Sequence, residues 1–60
     1  KMDPKFYNLY TLALAQAAND QFKEAVATAD RSIEAAKEAG NEEYVRMNKN
    51  KIKEWSAKVT

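Results

Sequence analysis

The side chains of this chain that could carry out chemistry are few. Five serine and threonine hydroxyl groups stand in a sequence of 60 residues that contains no histidine and no cysteine. They belong to Thr11, Thr28, Ser32, Ser56 and Thr60. A hydroxyl nucleophile needs a neighbouring base, usually histidine, and a phosphate site needs a glycine-rich loop, whereas this chain has one glycine. The sequence therefore predicts that the protein is not an enzyme and uses no cofactor.

Paired carboxylates are the second chemical possibility. Glu34 with Glu38, and Glu42 with Glu43, could act as an acid and a base, but each pair falls on a predicted polar helix face. Water would solvate both members there. Neither pair has the loop spacing of a calcium site, so no metal site is expected.

Charge limits the kinds of partner. Ten Lys and Arg against nine Asp and Glu give a net charge of +1, far from the strongly basic surface of a nucleic-acid-binding domain. The cations of the last third are spread around a helix, which favours solvation over phosphate binding: Arg46, Lys49, Lys51, Lys53 and Lys58. No run approaches the 18 or so apolar residues of a membrane span, and no signal-peptide pattern is present. We expect neither nucleic acid nor membrane as partner, and the compartment stays open.

Two helices are predicted for the first two thirds of the chain. Asp3 before Pro4 is a helix-start signal, which predicts a first helix over residues 4–18. Asn19, Asp20 and Gln21 interrupt the pattern. Apolar residues at helical spacing then predict a second, amphipathic helix over 21–39: Phe22, Ala25, Val26, Ala29, Ile33 and Ala36.

A third helix is predicted after the single glycine. Gly40 suits the left-handed position that ends a helix, and Asn41 suits the N-cap of the next, which would run over 42–58. Connections of two or three residues make consecutive helices antiparallel neighbours. The predicted fold is all-α, a helix-turn-helix hairpin plus a third amphipathic helix, forming one unit over residues 1–60.

The spacing of the first two helices resembles a tetratricopeptide repeat, the 34-residue helix-turn-helix unit. The positions of its pattern fall, without insertion or deletion, on Leu9, Leu12, Ala13, Gln16, Ala25, Ala29, Ser32 and Lys37. Phe22 stands where the repeat often has an aromatic residue after its inner turn. Leu9, Gln16, Ala29 and Lys37 replace the usual tryptophan, tyrosine, aromatic and proline. The resemblance covers one repeat, about residues 6–39, and makes the third helix a capping helix of an α-α superhelix unit.

The resemblance implies two faces on the first helix. The pattern residues Leu9, Leu12 and Ala13 would pack on the second helix, together with its Phe22, Ala25, Ala29 and Ser32. The other face would line the groove in which such repeats bind peptides: Tyr7, Tyr10, Leu14, Ala17 and Ala18. This face carries no Lys or Arg, so a ligand there would be apolar or helical. The alternative is that the third helix covers the face.

The predicted function is a protein-protein interaction or self-assembly module. A 60-residue core without disulfides is marginal, because 11 of the apolar residues are alanine. We therefore expect a protein or peptide partner or a second copy, most simply in a homodimer. Two alternatives stay open, a designed or excised self-associating helical unit without a natural ligand and a regulatory segment of a larger enzyme. Asn48, in the middle of the apolar face of the third helix, is expected to fix helix register or to cap a loop.

Overall fold

A computed structural model describes residues 5–59, which form three α-helices and, within that range, no strand. Helix α1 runs over Lys5–Ala18, α2 over Phe22–Ala39 and α3 over Glu42–Ser56. The all-α hairpin with a third helix is confirmed. The predicted start at Asp3 and Pro4 lies outside the described residues. Helix α2 begins one residue later than predicted, and α3 ends two residues earlier because the chain turns at Ala57 and Lys58.

Both connections use the same turn. At the end of α1 the Gln21 N–H donates to the Gln16 carbonyl at 2.8 Å, and at the end of α2 the Asn41 N–H donates to the Ala36 carbonyl at 2.8 Å. Such a turn needs one residue with a left-handed backbone. Gly40 takes it with φ 73°, as predicted, and Asp20 takes it with φ 62°. Asp tolerates this region better than most side chains, so it replaces glycine at modest cost.

Helix α3 starts at a side-chain cap. The Asn41 side-chain oxygen accepts a hydrogen bond from the Tyr44 N–H at 3.0 Å, which confirms Asn41 as the N-cap. Glu42 and Glu43 lie in the first turn of α3, where negative charge is favourable near the positive end of the helix dipole. The direction of α3 is therefore set by the turn and its cap.

The core consists mostly of alanine around one tryptophan. Trp55 of α3 is 4% exposed and packs with Ala13 of α1 and with Ala25 and Ala29 of α2. The three alanines have no exposed surface. Short side chains let α1 and α2 approach closely. The indole ring of Trp55 fills the space between these alanines and α3.

Helix α2 is the central element. It packs along both α1 and α3, whereas α1 and α3 meet only over a short stretch. Six residues of α2 are buried, on sides that face the two neighbours: Ala25, Thr28, Ala29, Ser32, Ile33 and Ala36. Because α3 leans on α2, it leaves much of α1 uncovered.

Candidate protein-interaction site

One face of α1 remains open to solvent although its residues are apolar. Tyr7 is 50% exposed and Leu14 is 38% exposed, while Tyr10 and Ala17 are partly buried and Ala18 is exposed. We call these five residues the α1 face. The alternative that α3 covers this face holds only in part, because Tyr44 contacts the tyrosines and Ala17 packs against the cluster that contains Trp55, while Tyr7 and Leu14 stay exposed.

Four aromatic rings join α1 to the beginning of α3. The Tyr44 ring lies 5.0 Å from that of Phe6, 5.7 Å from that of Tyr7 and 5.4 Å from that of Tyr10, measured between ring centroids. The rings are tilted or edge-on to one another, which is the favourable arrangement for aromatic pairs. We call these four residues the aromatic cluster. It holds Tyr7 and Tyr10 in fixed positions, so the α1 face is preorganised at that end.

The aromatic cluster changes the acidity of its central phenol. Burial raises the pKa of Tyr44 above its usual value of 10.0, and the neighbouring Tyr7 raises it further. The folded state therefore favours the neutral phenol. Its contribution to stability is complete below about pH 10 and is lost as the pH rises through the higher pKa of the folded protein.

Alkaline unfolding should accordingly depend on Tyr44. Above about pH 10 the wild-type melting temperature is expected to fall more steeply than that of Tyr44→Phe, which keeps the ring but has no proton to lose. Circular dichroism melts between neutral pH and pH 11 or so give the change of melting temperature with pH for both proteins. The lysines contribute equally to the two, so the difference between them reports on Tyr44. Parallel slopes would contradict the assigned role of the phenol.

The residues of the repeat pattern occupy the hairpin interface for the most part. Ala13, Ala25, Ala29 and Ser32 are fully buried, and Phe22 and Leu9 are partly buried. Leu12 differs from the expectation, because its side chain is 48% exposed. It lies about 100° around α1 from Ala13, at the edge of the interface, where α2 does not reach it.

A chain of hydrogen bonds crosses all three helices. The Asn48 side-chain amide donates to the Ser32 hydroxyl at 3.0 Å and to the Tyr44 carbonyl at 2.7 Å, and the Ser32 hydroxyl donates to the Phe6 carbonyl at 2.8 Å. Asn48 and Ser32 are both fully buried. The Asn48 side-chain oxygen has no partner. Two of the three bonds, Asn48 to Ser32 and Ser32 to Phe6, join different helices and favour one register of α3 against the hairpin, which is one of the two roles considered for Asn48.

A second polar contact links α1 and α2 near the first turn. The Thr28 hydroxyl donates to the Gln16 side-chain oxygen at 2.7 Å, and Thr28 is 8% exposed. Gln16 stands where the repeat pattern usually has tyrosine, and its side-chain oxygen gives the nearly buried Thr28 hydroxyl a hydrogen-bond partner. The sequence shows the departure at Gln16 but does not show its partner, twelve residues away.

Within residues 5–59 no group of three or more Asp and Glu side chains comes together as a metal site would require. Over the same range no helix has the length and apolar character to cross a membrane.

The aromatic cluster is the part of the site that sequence reasoning missed. The contact of Tyr44 with Tyr7 and Tyr10 depends on how α3 leans across the hairpin. Periodicity within one helix does not indicate this contact, because Tyr10 and Tyr44 lie 34 positions apart in the sequence. Comparison of the chain with protein-family models, with curated proteins and with solved structures gave no match.

Proposed function

We propose that this chain is a protein-interaction module of tetratricopeptide type that binds through the α1 face. The observation that supports the proposal is the composition of α1. From Phe6 to Ala18 the helix has no charged residue, yet two of its large apolar side chains on one face, Tyr7 and Leu14, are exposed. A helix that is apolar on most sides is normally covered by protein.

The repeat resemblance is supported by the small residues. Ala13, Ala25 and Ser32 stand at the short-side-chain positions of the pattern, and all three are fully buried between the helices. In a repeat of this type the opposite face of the first helix lines the binding groove. The α1 face of this chain would then bind an apolar or helical surface, anchored by Tyr7 and Leu14.

A second copy of the chain is the partner we propose for the isolated protein. Identical chains can meet around a two-fold axis, so that the same face contacts itself. The α1 face carries no charged residue, so two copies that meet through it would not bring like charges together. Tyr and Leu side chains bury a large area at low cost in conformational entropy.

The proposal predicts that charges on the α1 face separate the copies. Tyr10→Lys with Leu14→Glu should convert the wild-type assembly to a monomer and lower its melting temperature, because association and folding are linked by mass action. Sedimentation velocity measures the mass, and circular dichroism shows whether the helices persist. Since Tyr10 also contacts Tyr44, the single variant Leu14→Glu separates loss of association from loss of the fold.

Leu12→Glu is the matched control. Leu12 is an exposed leucine on the same helix, about 160° around the axis from Leu14. The substitution adds the same charge and should leave the mass unchanged. Dissociation by Leu12→Glu, with no change for Leu14→Glu, would place the interface on the other side of α1 and refute the proposal.

A further inference from the structure

Two cavities open between α2 and α3, and no residue of α1 lines either one. The larger, about 390 Å³, lies where α2 ends and α3 begins and is lined by side chains that include Lys37, Val45, Arg46 and Lys49. The smaller, about 250 Å³, lies at the other end of the same helix pair and is lined by Lys23, Val26, Ser56 and Val59. We call the surface that contains both cavities the α2–α3 groove. It is separate from the α1 face.

The floor of the groove is apolar. Val26 and Val45 are partly buried, and Val59 is 40% exposed. Each cavity therefore offers a place for an apolar side chain. Lys23 and Lys37 mark the two ends along α2 and lie 14 residues apart, which corresponds to about 21 Å of helix. A partner helix of about four turns would reach from one cavity to the other.

The rim of the groove is positive. Lys23, Lys37, Arg46 and Lys49 line the cavities, against Glu42 as the one carboxylate among the lining residues. Asp30, on the same side of α2 by its helical position, lies between the cavities and lines neither. Across residues 5–59 the ion pair found is Lys51 with Glu54, so the four cations are not engaged by carboxylates of the described chain. Among the residues that line the two cavities, cations therefore exceed carboxylates by three.

We propose that the α2–α3 groove binds an amphipathic helix of a partner protein, with apolar residues along one edge and Asp or Glu beside them. The apolar edge fills the two cavities, and the acidic side chains meet Lys37, Arg46 and Lys49. Charge complementarity selects this partner, because a basic or neutral helix would leave the cations desolvated without a counter-charge.

A second copy does not have the required surface. Helix α1, which carries the exposed apolar side chains, has no acidic residue. The exposed acids of α2, such as Glu34 and Glu38, are accompanied on that side by alanine and not by large apolar side chains. The groove therefore calls for a different protein, whereas the α1 face can pair with itself.

A designed peptide tests the proposal directly. The probe is a fluorescently labelled amphipathic peptide of about four helical turns, with leucines along one edge and glutamates flanking them. Its control has lysine in place of every glutamate. Fluorescence anisotropy should show binding of the acidic peptide that weakens as salt is added, and at least about tenfold weaker binding of the basic peptide.

Matched charge reversals locate the site. Lys37→Glu with Lys49→Glu should weaken binding of the acidic peptide about tenfold or more. Arg31→Glu with Lys51→Glu makes the same change of charge on the same two helices, at positions that line neither cavity and lie about 120° around α2 from Lys37 and about 160° around α3 from Lys49, and should change binding less than about threefold. Circular dichroism of both variants shows that the fold persists.

Three outcomes would overturn the proposal. One is equal loss of binding in the two double variants, which would mean attraction to net charge alone. Another is equal binding of the acidic and basic peptides. The third is a change of oligomeric state in Lys37→Glu with Lys49→Glu, which would place a second copy in the groove. Because Leu14→Glu lies on the α1 face, its effect on mass is independent of all three results.

Discussion

Trp55→Ala is expected to remove most of the stability of the isolated domain. Trp55 is the largest side chain in the core and is 4% exposed, and it packs against Ala13, Ala25 and Ala29 from two other helices. Alanine at this position would leave a cavity between residues that are too short to fill it. Such truncations cost about 3–5 kcal/mol, which is most of the stability of a domain of this size.

Urea titration followed by circular dichroism measures the loss for Trp55→Ala. Leu12→Ala is the matched control, because it also truncates a large apolar side chain but at a position that is 48% exposed. Its free energy of unfolding should lie within about 0.5 kcal/mol of the wild-type value. A similar loss in both variants would mean that the indole does not hold α3 against the hairpin.

Ala25→Leu is expected to give the second large loss of stability. Ala25 has no exposed surface and lies in the same cluster as Ala13, where α1 and α2 approach each other. Three added carbon atoms cannot be placed there without moving one helix. Overpacking of this kind costs about 1–3 kcal/mol.

Ala27→Leu provides the comparison for Ala25→Leu. Ala27 is exposed on the outer side of α2, so the larger side chain meets water and the free energy of unfolding should change by less than about 0.5 kcal/mol. Thermal melts of the two variants measure the difference. Equal shifts in melting temperature would show that α2 packs through another face.

Local rules are enough to predict the turns and helices of this chain. Gly40 can take a left-handed backbone more cheaply than any other residue, and Asn41 carries the short side chain that an N-cap needs. Neither property depends on distant contacts, and both predictions are confirmed. The buried alanines of α2 follow from helical periodicity in the same way.

Contacts between helices could not be predicted so fully. The exposure of Leu12 depends on how far α2 reaches around α1, and the aromatic cluster depends on the lean of α3. The hydrogen bond from Asn48 to Ser32 joins residues 16 positions apart. These features arise from the relative placement of rigid helices, which periodicity within one helix does not determine.

The molecular mass of the wild-type chain across a dilution series tests the α1 face most directly. If this face binds a second copy, sedimentation equilibrium should show twice the monomer mass of 6.8 kDa at high concentration. The mass should fall toward the monomer value on dilution, together with the melting temperature. A well-folded chain that keeps the monomer mass at millimolar concentration or so, with a melting temperature independent of concentration, would contradict self-association through α1.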